Sequence, residues 1–294
     1  MTLIGWTQIL LYSFVLVILV KPIGSYMARV LEGEPTILSN VIRPVENGIY
    51  RVCGIDHTEE MNWKTYTGSL LIFHLGGILF LYAILRLQAF FSLSAEMKAA
   101  IPFDLALNTA VSFVTNTNWQ NYAGEATLSN TTQMIGLTVQ NFLSAASGIA
   151  IMAALIRGLV RNTVKTIGNY WVDTTRSVLY ILLPFSCVLA IVLVSQGVVQ
   201  TLSPSVEAAL VQPFFNSQGE MIEKQTIALG PVASQVAIKH LGTNGGGFMN
   251  ANASHPFENP TPLSNFLLIL AETIIPASLT YTFGKMVGDS RQGW

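Results

Sequence analysis

Two short stretches hold most of the polar chemistry in an otherwise apolar chain. They are Thr115-Asn116-Thr117-Asn118, followed by Gln120, and Gly242-Thr243-Asn244-Gly245-Gly246. Both consist mainly of hydroxyls, carboxamides and glycines, and neither contains a carboxylate, histidine or cysteine. Oxygen donors without formal charge suit a weakly hydrated monovalent cation, whereas a hard divalent ion is usually held by Asp or Glu. Glycines at 245, 246 and 247 free the backbone to adopt φ > 0 and turn its carbonyls inward. Main-chain carbonyls so arranged can replace an ion's hydration shell. Asn116, Thr117 and Asn118 form one candidate ligand set, and Thr243, Asn244 and Gly245 a second. A cation filter is the leading reading. An outer loop rich in small residues is the structural alternative. A phosphate-binding glycine loop is disfavoured because no Lys-Ser/Thr pair follows the glycines. Gln120 reads either as an ion contact at the filter mouth or as a cap on the turn.

The rest of the sequence offers little catalytic chemistry. The two cysteines, Cys53 and Cys187, are far apart and make no metal motif; Cys187 sits in an apolar run and is expected to be a buried, inert thiol. No nucleophile–base–orienter constellation and no nucleotide-binding loop is present. None of Asp56, Asp104, Asp173 and Asp289 lies in the Asp-Lys-Thr-Gly context of a phosphorylated pump aspartate. If ATP powers transport, another chain hydrolyses it. Glu125 and Glu258 are expected on the outer side of the turns, as solvated loop residues, with attraction of cations the alternative. His74 is expected to be hydrogen-bonded inside the bundle. Lys239 and His240 would complement the negative end of a helix dipole, and Asp104 the positive end of another. Glu272, an ionisable group inside an apolar span, is open to both a functional and a structural reading.

The elements that must position the two stretches are membrane spans. Of 294 residues, 51% are hydrophobic and 11% charged, far below the roughly 25% charge of soluble domains. Net charge is −1, which gives no sign of a nucleic-acid partner. Apolar segments near Leu3–Val20, Tyr66–Leu87, Met134–Ile156, Val178–Val199 and Pro262–Val287 predict five spans. The first is read as retained, since no basic leader or small-residue cleavage site accompanies it. With the N-terminus outside, Lys21, Arg29, Arg43, Arg51, Lys64, Arg157, Arg161, Lys165, Arg176, Lys285 and Arg291 fall inside. Arg86, Lys98, Lys224 and Lys239 fall outside, so eleven against four gives a positive-inside bias.

Each polar stretch follows a proline (Pro102 or Pro231) and about a dozen residues compatible with helix. Proline suits a first helical turn, and eleven or twelve helical residues reach about half a membrane, roughly 16–18 Å. Non-helical backbone survives at such depth only where protein buries it or where it lines a watery cavity. The pattern predicts a leading helix and cytoplasmic loop (1–64), then two units of span, half-helix, polar turn and span (65–165 and 166–294). His255-Pro-Phe-Glu-Asn-Pro reads as a rigid reversal into the last span.

VSFVTNTNWQNYAGE (Val111–Glu125) and HLGTNGGGFMNANASHPFENPT (His240–Thr261) closely resemble the A subunit of the bacterial Kdp potassium-transporting ATPase. The likeness extends to the flanking spans and the whole chain. It implies an all-α polytopic protein of the bacterial inner membrane, with potassium-channel-like span–pore loop–span repeats around one selectivity filter. It implies potassium as the substrate ion, selected from the outer side and passed to a separate catalytic P-type ATPase subunit. Small accessory subunits and membrane lipid would be further partners, and this chain would bind no nucleotide. By the family's pattern, Asn116–Asn118 and Thr243–Gly245 are the first two filter strands, flanked by Thr115, Gly242 and Gly246. Gln120 matches a glutamine associated with potassium. The family's chains are about twice as long and have four pore loops. This sequence is therefore expected to be a fragment of a longer product, a split chain or a prematurely stopped one, with pairing of two copies a further route to four walls. A passive or ion-coupled transporter of the Trk, Ktr or HKT type, and an inactive truncated protein, are the alternatives.

Overall fold

A computed structural model describes residues 2–90, 98–161, 163–203 and 205–294. Its five long apolar helices are α1 (Leu3–Glu32), α3 (Trp63–Leu87), α5 (Thr132–Val160), α6 (Tyr170–Ser195) and α8 (Pro262–Met286). Between them lie α2 (Ser39–Cys53), α4 (Phe103–Val114), α7 (Val232–Leu241) and a hairpin of β1 (Ser205–Phe215) with β2 (Met221–Ala228). The chain is a multi-pass membrane protein.

Local sequence sets most boundaries. The Thr2 hydroxyl accepts the Gly5 amide to start α1, and Gly33, at φ 77°, closes it. The Asn62 carboxamide accepts from Lys64 and Thr65 to start α3, and Asn169 does the same for α6 through Trp171 and Val172. At α8, Thr261 and Ser264 form a reciprocal capping box ahead of Pro262. Two spans carry a wider turn, at Thr132–Thr138 in α5 and Ser177–Leu182 in α6. In α5 the Thr138 hydroxyl donates to the Gln133 carbonyl at 2.8 Å across it, and Gly136 lets Leu81 and Ile84 of α3 pack close.

α6 starts earlier than hydropathy alone predicts, at Tyr170. Its polar first turn is stabilised by an ion pair: Arg157 at the end of α5 donates to both oxygens of Asp173, at 2.6 and 2.9 Å. Tyr66 donates to the same carboxylate at 3.0 Å. The segment read as a loop after α1 contains α2, which docks through buried Glu46. That carboxylate accepts from Arg176 (2.9 Å), Tyr50 (2.8 Å) and Tyr180 (2.7 Å). α1 lies along α8 in parallel: Thr282 donates to the Gly24 carbonyl at 3.1 Å. A methyl on Gly24 would meet the Ser278 carbonyl at 2.6 Å.

The hairpin has no counterpart in the sequence reading, which shows only a polar outer segment. Its register runs from Ser205 opposite Ala228 to Phe215 opposite Met221, with an irregularity between Ala209 and Phe214. Most of β1 is exposed on both faces, so the strand lacks the apolar–polar alternation that makes strands legible.

Four apolar cores hold the spans among the described residues, one of them formed by Tyr66, Ala150, Ala154 and Tyr170. Leu81, Leu85, Ala106, Ala110, Phe113 and Leu137 enclose α4. Leu193, Val232, Val236, Phe248, Met249 and Leu268 enclose α7. Met27, Leu31, Ala146, Ile149, Ile181 and Ile275 tie α1, α5, α6 and α8 together. Both half-helices are thus packed on protein, as non-helical backbone at their ends requires. Cys187 departs from its expected burial: it is exposed, beside exposed Val188 and Ile191. His74 departs too, because its Nε2 is buried without a hydrogen-bond partner among apolar neighbours including Ile72, Phe80 and Val114.

Candidate ion-binding site

The two half-helices end alike, bond for bond. At the end of α4, the amides of Thr115 and Asn116 donate to the carbonyls of Val111 (3.0 Å) and Phe113 (3.3 Å). The amides of Thr117 and Asn118 both turn back onto the Ser112 carbonyl, at 3.0 and 3.1 Å. At the end of α7, Gly242 and Thr243 donate to Ile238 (2.8 Å) and His240 (3.1 Å). Asn244 and Gly245 both turn back onto the Lys239 carbonyl, at 2.9 and 3.3 Å. Thr115 therefore corresponds to Gly242, Asn116 to Thr243, Thr117 to Asn244 and Asn118 to Gly245.

The backbone conformation follows the same register. Asn116 and Asn118 have φ of 65° and 55°, and Thr243 and Gly245 have 57° and 68°. A left-handed residue at the first and third positions, with a different conformation between, is an alternation that orients successive peptide groups alike. Asn tolerates this region and glycine adopts it freely. Thr243 is β-branched and strained there. Gly246 continues left-handed at 71°. Gly247 does not, contrary to expectation. It is small because the Glu258 carboxylate fills its side: an added methyl would lie 2.2 Å from Oε1.

With their amides drawn back, the strands keep their carbonyls unclaimed. The carbonyls of Asn116, Thr117, Asn118, Thr243, Asn244, Gly245 and Gly246 accept no hydrogen bond among the described residues, whereas Gly242 accepts one from Asn116 Nδ2 at 3.4 Å. The carbonyl end of each half-helix, negative by its dipole, lies directly behind. Thr117, Asn118, Gln120, Asn244, Gly245 and Gly246 share a cavity of about 520 Å³. Gln120 thus faces the same space as both turns.

The side chains divide their work. Asn116 Oδ1 accepts from Ser144 (2.7 Å) and from Asn244 Nδ2 (2.5 Å), which joins the two turns edge to edge through α5. Its carboxamide oxygen is committed to that joint, so the expected ligand role rests on its main-chain oxygen. Thr115 Oγ1 bonds back to Val111 at 2.9 Å and lies 3.1 Å from Thr117 Oγ1. Asn118 keeps both carboxamide atoms unpartnered, and Asn244 its Oδ1. Gly242 is small for room: a methyl there would meet Asn244 Oδ1 at 2.3 Å.

The charged surroundings differ from the sequence expectation. Glu258 is fully buried rather than solvated, and accepts the Met249 amide at 2.8 Å. Glu125 accepts the Asn250 amide at 3.0 Å, so both carboxylates hold the loop beyond the second turn. Lys239, counted among outer loop charges, is only 2% exposed. Its Nζ donates to the Gly247 carbonyl at 2.9 Å and sits 5.3 Å from the Phe113 ring centre. His240 Nδ1 lies 3.3 Å from Glu272 Oε2 without making a hydrogen bond, so the two form an ion pair only when the imidazole is protonated. Asp104 stands in the first turn of α4 as expected. Chain reversal at His255 is also present, with Glu258 and Asn259 both donating to its carbonyl. Sequence reasoning missed Ser112 and Ser144. Ser144 had a usable signal, since polar residues inside apolar spans mark helix contacts.

The family described as potassium-transporting ATPase A subunit matches residues 10–294. A potassium-transporting ATPase potassium-binding subunit from Methylorubrum extorquens is 58% identical over 294 residues, covering all of this chain and 50% of the relative. The subunit of that name from Bradyrhizobium diazoefficiens is 56% identical over 294 residues, with the same coverage. That from Herpetosiphon aurantiacus is 58% identical over 287 residues, covering 98% of this chain and 49% of the relative. The chain spans about half the length of the curated relatives it matches. It belongs to the potassium-transporting ATPase A subunit family.

Proposed function

We propose that this chain contributes two walls of a potassium filter in the potassium-binding, non-catalytic subunit of an ATP-driven uptake complex. The observation that carries the reading is the bond-for-bond equivalence of Thr115–Asn118 and Gly242–Gly245. Each has left-handed residues at matched positions and amides withdrawn onto one helix carbonyl. Two such turns, joined by Asn116 and Asn244, carry unclaimed carbonyls and line a common cavity through Thr117, Asn118, Asn244, Gly245 and Gly246. Uncharged oxygen in that arrangement substitutes for the hydration shell of a monovalent cation.

In this reading 65–165 and 166–294 are span–pore loop–span units following a leading helix. The filter residues are Thr115, Asn116, Thr117, Asn118, Gln120, Gly242, Thr243, Asn244, Gly245 and Gly246. The N-terminus lies outside the bacterial inner membrane, by the positive-inside bias. Potassium enters from the outer side and passes to a separate P-type ATPase subunit, which hydrolyses the nucleotide; small accessory subunits and lipid complete the assembly. The names of the relatives, and family membership, support potassium as the ion and an ATPase as the partner.

Gly245→Asp in the assembled transporter tests the filter. Gly245 has φ 68°, and a Cβ there would lie 3.1 Å from Glu272 Oε1, so the new carboxylate is both strained and set against a like charge. Potassium half-saturation of uptake should rise at least about tenfold. Unchanged half-saturation and unchanged discrimination against rubidium would remove 242–246 from the filter. Co-purification of an ATPase subunit with the chain tests the pump assignment.

A further inference from the structure

We propose that Ser112 and Lys239 are the positioning residues of the two walls, each gripping its strand at the second and third residues and again where the chain leaves it. This rests on the filter reading above and adds what holds the strands in place. The two residues occupy equivalent places near the ends of α4 and α7, and differ completely in chemistry. Yet each does the same two things.

With its main-chain carbonyl, each receives the second and third strand amides. Ser112 takes Thr117 and Asn118, and Lys239 takes Asn244 and Gly245. With its side chain, each reaches past the strand to the residue where the chain leaves. The Ser112 hydroxyl accepts the Trp119 amide at 2.7 Å and lies 3.2 Å from the Trp119 carbonyl, to which it donates. The Lys239 ammonium spans further and donates to the Gly247 carbonyl at 2.9 Å. Both residues are buried, at 7% and 2% exposure, so neither bond competes freely with water.

The difference in reach matches a difference in the strands. The first strand turns away at Trp119, one residue beyond Asn118, and a short hydroxyl suffices. The second runs on through left-handed Gly246 to Gly247, and only a long side chain gets there. Glu258 completes the far side of this grip. Its carboxylate lies against Gly247 and holds the Met249 amide, so Gly247 is fixed between an ammonium and a carboxylate. A cation filter is selective only if its carbonyls stay at set spacing; the two grips supply that constraint through main-chain groups of the strands.

The test uses potassium-stimulated ATPase activity of the assembled complex. It compares Ser112→Ala, Ser112→Thr and Lys239→Met, with Gly245→Asp as the filter control. Losing a buried grip to a loosened strand should raise potassium half-saturation, about tenfold for the charged Lys239 bond and several-fold for Ser112. The ratio of rubidium to potassium half-saturation should fall toward one. Maximal rate should change less than half-saturation, which separates loss of positioning from general damage. Ser112→Thr keeps the hydroxyl and should restore the parent values. The proposal is overturned if Ser112→Ala and Lys239→Met keep the parent half-saturation and rubidium ratio while Gly245→Asp does not. It is also overturned if maximal rate alone falls, or if Ser112→Thr behaves as Ser112→Ala. Should Lys239→Met fail to assemble, the Ser112 pair decides. Parent behaviour in Gly245→Asp as well would instead sink the filter reading.

Discussion

Gly247→Ala tests how the second turn is held, because space alone demands a glycine there. A methyl at 247 would lie 2.2 Å from Glu258 Oε1 and 2.6 Å from both Cδ and Oε2. Glu258 cannot swing aside freely: it is 0% exposed, and Oε1 accepts the Met249 amide at 2.8 Å. The variant must either overpack the site, at about 1–3 kcal/mol, or break a charge-assisted hydrogen bond, at about 1.5–3 kcal/mol. A net destabilisation of about 1–3 kcal/mol follows. Glu258→Asp is shorter by one methylene. Alone it draws the carboxylate away from Met249 and loses about 1–2 kcal/mol. Combined with Gly247→Ala it makes the missing room. The double variant should therefore be less destabilised than the sum of the singles, by about 1–2 kcal/mol. Thermal unfolding of the purified complex, run as a four-corner cycle, measures this. Additivity within about 0.5 kcal/mol, or parent stability in Gly247→Ala, would refute the collision.

Two further expectations concern the opposite end of the bundle. Asp173→Asn leaves Arg157 buried beside a neutral partner and should destabilise by about 3–5 kcal/mol, read as a lowered Tm, because the lost bonds at 2.6 and 2.9 Å are the main anion contacts of that guanidinium. At Glu60, hydrogen bonds from Arg161 and then Thr166 hold the carboxyl below the ordinary glutamate range. A depressed folded-state value means the stabilisation is present above the unfolded value, near 4.3, and fades as pH falls through the folded one. Wild-type Tm should thus fall more steeply than that of Glu60→Gln between about pH 5 and 3. The difference should stay within about 1 kcal/mol, since the pair is partly open to water. Parallel acid limbs would show that the pair contributes nothing.

The spans and half-helices were legible because each rests on a local rule. Long apolar runs placed five helices, and Pro102 and Pro231 marked where the short ones begin. The hairpin and α2 were not legible. β1 and β2 are exposed on most sides and show no alternation, and α2 is held by Glu46, whose partners Arg176 and Tyr180 lie far along the chain. The same gap explains Glu258. Charge in a polar stretch reads as solvated until the fold shows a carbonyl or an amide waiting in the interior.

The polar turns are legible as a site, but not in detail. Composition points to glycine as the source of the left-handed backbone, yet the first wall reaches it with Asn116 and Asn118, and the second begins it with Thr243. Asn accepts that region at little penalty; a β-branched Thr does not, and holding it there is expected to cost of order 1–3 kcal/mol. Such strain persists only where the surroundings over-determine it. Here the Thr243 amide is tied to His240 at 3.1 Å and the next two amides to Lys239. On the neighbouring turn, Asn116 bonds across to Asn244. The bonds that keep Thr243 strained are therefore the same ones that strip the strand's amides from its open face. Strain and carbonyl presentation have one cause in this fold, and composition alone could not have revealed it, because the residue that bears the strain is not one of the glycines.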